Sequence, residues 1–326
     1  MYKIYLSILF SFSIIFFTGC SSKKLTIKSL HPSQIEKEKI QTIQVKRFFR
    51  DDINQTGFLK ERIANKVIDG KKIFILKNDN NVDAILDGEV VDSSLYYNTY
   101  YRTEIDYSRC RFYRYDEKSK TKNCVEYRIK HIPCENRDYN VTTSIRLLNP
   151  SSNEILFTKT YNKNRSENIC FEYHYYPYHT ISRDKYEINT SLSNEIAKDI
   201  LDDISPHYEY WDIQIIEKLD EKTVIFTKEQ EKRFETAVEL LDKGNLDVAK
   251  IEFEKLDNEF ENKSFEVIYN LALISEAYNK LENAKNLYIK AKDLTTNLDY
   301  LDLANFAIVR TSKNLEQKIK AKSQLP

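Results

Sequence analysis

The sequence predicts an α+β domain, an antiparallel-rich sheet with two helices on one face, followed by an all-α domain of helical hairpins. Three observations carry this. Val141, Thr143, Ile145 and Leu147 alternate with polar residues along a half-buried strand, and similar segments surround them. Two segments among these strands place apolar residues at helical spacing, as Leu192, Ile196, Ile200 and Ile204 do. From Glu229 to Asn297 the β-branched clusters nearly vanish and the period becomes helical throughout. At about 150 residues per domain, 326 residues hold about two domains.

Composition narrows the function classes. With 50 Lys and Arg against 50 Asp and Glu, the chain lacks the uncompensated positive charge of a general nucleic-acid binder. A charged fraction of 31% and a mean hydropathy of −0.58 argue against a multi-span membrane protein. Only five glycines occur, and no cluster of them could bring backbone N–H groups to a phosphate. That argues against most nucleotide-dependent enzymes, and no cofactor is implied. No GxSxG turn exposes a nucleophile, and no pair of carboxylates stands out beside a cleft, so no residue is assigned a catalytic role.

The first nineteen residues hold one charge, Lys3, then an apolar run from Ile4 to Phe17 ending at Thr18, Gly19 and Cys20. A basic start, a run too short to span a bilayer and small residues at the end describe a cleaved signal peptide. Phe17-Thr18-Gly19-Cys20 resembles the lipobox of bacterial lipoproteins, with Phe17 in the usual place of Leu. The resemblance implies a lipidated Cys20, and Ser21 and Ser22 after it imply the outer membrane, facing the periplasm. Residues 20–37, with Ser, Lys, His31 and Pro32, read as a lipidated tether.

The α+β domain spans 38–218. Ile40, Ile43 and Val45 lead a strand into Phe48 and Phe49. Phe58, Leu59, Ile63 and Val67 form a helix that Gly70 stops. Lys72–Lys77 and Val82–Leu95 are strands. After the strand at Val141–Leu147, Asn149 to Asn153 turn the chain and Ile155–Tyr161 returns. The helix through Leu192 and Ile204 stops before Pro206, and Trp211, Ile213 and Ile215 alternate as a last strand, with Thr223–Phe226 as a further candidate. Val82-Asp83-Ala84-Ile85-Leu86-Asp87-Gly88-Glu89-Val90, following strand, helix and strand, resembles the compact domain of envelope-assembly lipoproteins, the CsgG/TolB-N-terminal group among them. That resemblance implies a scaffold or activator that binds partners.

Four cysteines, Cys110, Cys124, Cys134 and Cys170, lie close together in the chain. An even number in an exported protein reads as two disulfides with three possible connectivities. Cys110 with Cys124 and Cys134 with Cys170 is preferred, because the first two sit on the arms of a hairpin. A zinc site using Cys170, His174 and His179, with His131 and Cys134, is the weaker alternative, since no CxxC or HExxH occurs. The insertion at about 96–180 is rich in rings: Tyr96, Tyr97, Tyr100, Tyr101, Tyr107, Phe112, Tyr113, Tyr115 and Tyr127, then Phe171, Tyr173, Tyr175, Tyr176 and Tyr178. These either form a satellite core or a surface that docks a protein or a glycan. Tyr173, Tyr175, Tyr176 and Tyr178 are the partner-binding candidates.

Residues 228–320 form the helical domain. Residues 237–256 and 272–291 align at an offset of 35, Ala237 with Ala272, Ala249 with Ala284 and Phe253 with Tyr288. This resembles two tetratricopeptide repeats, turned at Gly244-Asn245 and Asn279-Lys280 and closed by a helix at Tyr300–Gln317. The resemblance implies a groove for a peptide or helix of another protein. The sequence thus reads as a non-catalytic outer-membrane lipoprotein, membrane-bound through Cys20, that scaffolds an envelope protein partner. Activation of a peptidoglycan synthase and a pilotin-like role for a secretin or flagellar structure are alternatives, and a peptidoglycan hydrolase is the weakest reading. The oligomeric state stays open.

Overall fold

The computed structural model describes residues 22–35, 39–171 and 180–326. The signal segment and Cys20 lie outside the described residues. In chain order the elements are β1 (Lys24–His31), β2 (Thr42–Val45), α1 (Gln55–Asn65), β3 (Val67–Ile68), β4 (Lys71–Lys72), β5 (Ile75–Leu76), β6 (Ala84–Asp116), β7 (Thr121–Leu148) and β8 (Ile155–Cys170). They continue with α2 (Thr180–Ile204), β9 (His207–Gln214), α3 (Lys228–Asp242), α4 (Leu246–Glu259), α5 (Phe265–Ala277), α6 (Leu281–Lys292) and α7 (Leu298–Gln324). The chain divides into two compact units: the described residues up to Pro32 with His207–Ser323, and Ser33–Pro206 with the last three residues.

The α+β unit rests on a sheet of order β5–β2–β6–β7–β8. β2 is parallel to β5 and β6, and β6, β7 and β8 are antiparallel. Tyr139, Val141, Thr143, Ile145 and Leu147 are buried while Asn140, Thr142, Ser144 and Arg146 between them are not, the period of two read from sequence. Gln55 joins both helices to this sheet. Its amide donates to the Ser193 carbonyl at 3.1 Å, and its oxygen accepts from the Ser193 and Thr143 hydroxyls at 2.8 and 3.2 Å. All its polar partners lie within the packed layer, which is what makes a fully buried amide tolerable.

Gly88 has a steric reason. A Cβ there would lie 2.4 Å from the Ser144 carbonyl oxygen and 2.9 Å from the Phe48 ring. Without one, the chain after β2 lies flat on β6, the Phe49 N–H donating to the Gly88 carbonyl. Arg137, 2% exposed, bonds Glu135, 1% exposed, at 2.7 Å and Asp184 of α2 at 2.6 Å. Lys159, Lys163 and Arg165 of β8 reach Asp203, Asp199 and Glu195 one turn apart on α2. As surface pairs these contribute about 0–1 kcal/mol each.

Several boundaries differ from expectation. The first helix ends at Asn65, and Val67 belongs to a hairpin turned by Asp69 and Gly70, whose φ angles are 49° and 78°. Asp-Gly with positive φ at both residues favours a tight β-turn. The Lys72–Lys77 strand is split between β4 and β5, and Thr223–Phe226 is not a strand. Thr227 instead accepts from the Gln230 N–H while the Gln230 side chain accepts from the Thr227 N–H, a reciprocal cap that starts α3.

The largest correction concerns the tether. Residues 24–31 are strand β1, which pairs antiparallel with β9 from Lys24↔Gln214 to His31↔His207. Leu25 and Ile27, with Ile213 and Ile215, are buried against Phe234, Ala237, Val238 and Leu241 of α3 and Val267, Leu271 and Ile274 of α5. The expected last strand therefore exists, but it completes the helical unit and not the main sheet. Buried side chains of α5 fix the chain beyond it: Asn270 both donates to and accepts from the Ile216 backbone, and Glu266 accepts from the Ser264 and Thr223 hydroxyls.

His31 makes this unit sensitive to pH. It is 6% exposed, its ring centroid lies 5.9 Å from that of His207, and its Nδ1 lies 3.5 Å from Glu209. Burial lowers its pKa, Glu209 opposes this, and the charges of His207 and Lys313 on α7 add to the lowering. The unfolded chain therefore binds more protons near the ordinary value of about 6.5. Its contribution to stability is complete above that pH and is lost as the pH falls through the lower folded value. We expect the melting temperature to decline as the pH falls below about 6.5, and His31→Gln to flatten the decline; an unchanged slope in the variant would contradict this.

Candidate functional site

β8 ends at Cys170, paired with Cys134 of β7. Beyond that point β6 and β7 continue as a two-stranded ribbon, from Tyr101 opposite Pro133 to the turn between Asp116 and Thr121. The structure forms both preferred disulfides. Cys134–Cys170 pins the end of β8 to the sheet, and Cys110–Cys124 crosses the ribbon. The Cys134–Cys170 bridge takes both cysteines out of the alternative zinc set, and His174 and His179 lie outside the described residues. Among the described residues no three His, Cys, Asp or Glu side chains gather as metal ligands. Titrating the denatured, unreduced chain from Ser21 onward should find no free thiol; four would contradict the bridges.

The ribbon has two unlike faces. Tyr101, Thr103 and Ile105 stand opposite Pro133, His131 and Ile129, and beyond them the rings of Tyr107 and Tyr127 meet edge-on at 5.1 Å. On the other face Glu104 bonds Arg102 at 2.7 Å and Lys130 at 3.2 Å. The described rings of the ribbon do not make a satellite core: Tyr101 is 70% exposed, Tyr107 72%, and Phe112, Tyr113 and Tyr115 at the tip more than half. Tyr96, Tyr97 and Tyr100 nearer the sheet are also exposed, and Tyr127 is half-buried. The four tyrosines chosen from sequence, Tyr173, Tyr175, Tyr176 and Tyr178, lie outside the described residues. The period-two separation of apolar from charged residues between 101 and 107 is the signal that could have found this face.

In the helical unit, backbone hydrogen bonds repeat at the 35-residue offset. The Gly244 and Asn279 N–H groups donate to Leu241 and Glu276, those of Asn245 and Lys280 to Leu240 and Ser275, and those of Ala249 and Ala284 to Asn245 and Lys280. Gly244 and Asn279 turn the chain with φ of 77° and 60°. Ala237, Ala249, Phe253, Ala272, Ala284 and Tyr288 are all fully buried. One face of α3 and α5 is covered by β1 and β9.

α7 follows the second hairpin. It buries Ala304, Ala307, Thr311, Asn314 and Ala321, and it exposes Phe306 by 66% and Val309 by 67%. Arg310, beside them, turns inward and donates to both oxygens of Glu276 at 3.0 and 2.8 Å, while the Tyr288 hydroxyl donates to the same carboxylate at 2.9 Å. Burial would lower the Arg310 pKa, but the hydrogen bonds and charge of Glu276 raise it, so the guanidinium stays charged. Burial raises the Tyr288 hydroxyl well above its ordinary value, with Glu276 adding to it, so it remains a donor.

No protein-family model and no curated protein matches the chain. Among solved structures it is similar to a minor lipoprotein from Acinetobacter baumannii, at 12% identity and a TM-score of 0.26 over 49% of this chain and 89% of that one. It is similar also to a Xanthomonas campestris protein described as DUF330, at 12% identity and a TM-score of 0.26 over 53% of this chain and 87% of that one.

Proposed function

We propose that this chain is a non-catalytic lipoprotein, anchored through Cys20 at the periplasmic face of the outer membrane, and that it scaffolds an envelope protein on tetratricopeptide-like hairpins. The observation that carries this reading is the recurrence of the same hairpin, hydrogen bond for hydrogen bond, 35 residues apart. Such hairpins stack, and each leaves an apolar face for the next. Here α7 takes the place of the first helix of a third hairpin. At the same offset Phe306 and Val309 correspond to Leu271 and Ile274, the face of α5 that β1 and β9 cover, so on α7 that face is open and a segment of the partner completes it there. The Val82–Val90 segment, like that of envelope-assembly lipoproteins, fits the same role.

Crosslinking in intact envelopes followed by affinity capture tests it. The expected result is a defined protein partner, lost in Phe306→Ser with Val309→Ser while the melting temperature is unchanged. Capture that survives both substitutions would overturn the docking face. A synthase, a secretin or a transport barrel in the captured fraction would name the pathway.

A further inference from the structure

We infer that the ribbon formed by Tyr101–Asp116 and Thr121–Pro133 is a second, independent binding site, and that it docks on an anionic phospholipid surface. The first support is charge. Residues 101–133 carry nine Lys or Arg against five Asp or Glu, in a chain whose net charge is zero. The excess gathers at the tip, where Arg109, Arg111, Arg114, Lys118, Lys120 and Lys122 outnumber Asp116 and Glu117, although Arg109 also pairs with Asp106 at 3.7 Å and Arg111 with Glu126 at 2.9 Å. Basic groups near an anionic bilayer are attracted without any need for a shaped pocket, and the attraction fades beyond a Debye length.

The second support is where the rings sit. Phe112, Tyr113 and Tyr115 are interspersed with Arg111 and Arg114 and are 55%, 62% and 56% exposed. Tyrosine has an apolar ring and a polar hydroxyl, which suits it to the headgroup layer, and arginine stems lie along apolar surface while their heads reach phosphate. Arg111 sets its guanidinium 5.3 Å from the Phe112 ring centroid while it bonds Glu126 at 2.9 Å, so ring and charge share one patch of surface.

The third support is the two-faced build. The face of Tyr101, Ile105, Tyr107 and Ile129, with Thr103 and His131 between them, is mostly apolar and open, and the opposite face is satisfied by its own Arg102–Glu104–Lys130 pairs. A two-stranded ribbon has unpaired N–H and C=O groups along both edges, which hydrocarbon does not tolerate. The ribbon therefore lies at headgroup depth and does not cross the bilayer.

Co-sedimentation tests this with the chain from Ser21 to Pro326, which contains every described residue and no lipid. It should bind phosphatidylethanolamine vesicles containing phosphatidylglycerol at least tenfold more tightly than phosphatidylcholine vesicles, and raising the salt from about 0.1 M to about 1 M should remove the difference. Arg109→Gln with Arg111→Gln and Arg114→Gln, and separately Phe112→Ser with Tyr113→Ser and Tyr115→Ser, should each weaken binding at least tenfold with an unchanged circular dichroism melt. Equal binding to both vesicles, or binding that neither variant weakens, overturns the inference. So does equally tight binding of dextran sulfate or polyglutamate, since the ribbon would then read negative charge on a glycan or a protein and not a bilayer.

Discussion

Arg310→Met should destabilise the helical unit by about 3–5 kcal/mol, because it strips the counter-charge from a carboxylate with no route to water. Glu276 is fully buried, and its other partner, the Tyr288 hydroxyl, is a neutral donor. At roughly 2–4 °C per kcal/mol for a unit of this size, the helical melting transition should fall by at least about 6 °C. Arg310→Lys should fall between wild type and Met, since an ammonium keeps the charge but cannot span both oxygens. Replacing both partners, Glu276→Leu with Arg310→Met, should recover most of the loss, because no unpaired charge then stays buried. A double variant as unstable as the single one would show that packing around Arg310, and not charge, holds the three helices.

The two disulfides should behave unlike each other. Cys134 and Cys170 lie 36 residues apart, so replacing both with Ala releases a loop whose closure is worth about 4 kcal/mol in the chain-entropy model. That loop includes part of β7 and all of β8, both in the sheet, so the melting transition of the α+β unit should drop. Cys110 and Cys124 are 14 residues apart, about 3 kcal/mol in the same model. The ribbon they cross buries little, however, so opening it does not unfold the sheet. Removing that bridge should leave the melting temperature almost unchanged while amide exchange between 101 and 133 accelerates. Equal loss of melting temperature in both variants would mean that the ribbon is part of the cooperative core.

What could be read from sequence follows physical range. Local periodicity found the main strands and helices of the sheet, because Val141 to Leu147 and Leu192 to Ile204 show their buried faces within one element. The 35-residue recurrence of the turns at Gly244 and Asn279 was legible for the same reason. Partners chosen at long range were not. β1 was hidden because Lys24, Thr26 and Lys28 on its outer face match a tether in composition, although Leu25 and Ile27 keep strand alternation. That β9 pairs with β1, some 180 residues earlier, is a choice no local pattern contains. Glu276 gave only a faint sign, an acid set beside Ile274 and Ala277 in an apolar helix, and Arg310 gave none. The aromatic ribbon was visible as composition; its separation into two faces required the register across Tyr101 and Pro133.

If Cys20 carries lipid as proposed, the position of β1 sets how far the protein can wander. A tether of residues 20–37 would let the body roam about 60 Å from the bilayer at about 3.5 Å per residue. β1 begins at Lys24. Lys23 is already held, its N–H donating to Glu217 and its carbonyl accepting from Ile215, so at most three residues separate the lipid from the fold, a reach of about 10 Å. The volume that the helical unit samples above the membrane shrinks on the order of a hundredfold, and its effective concentration toward anything else held in that membrane rises by the same factor. Weak contacts with membrane-bound partners then suffice, and a soluble partner must come to the surface to meet it.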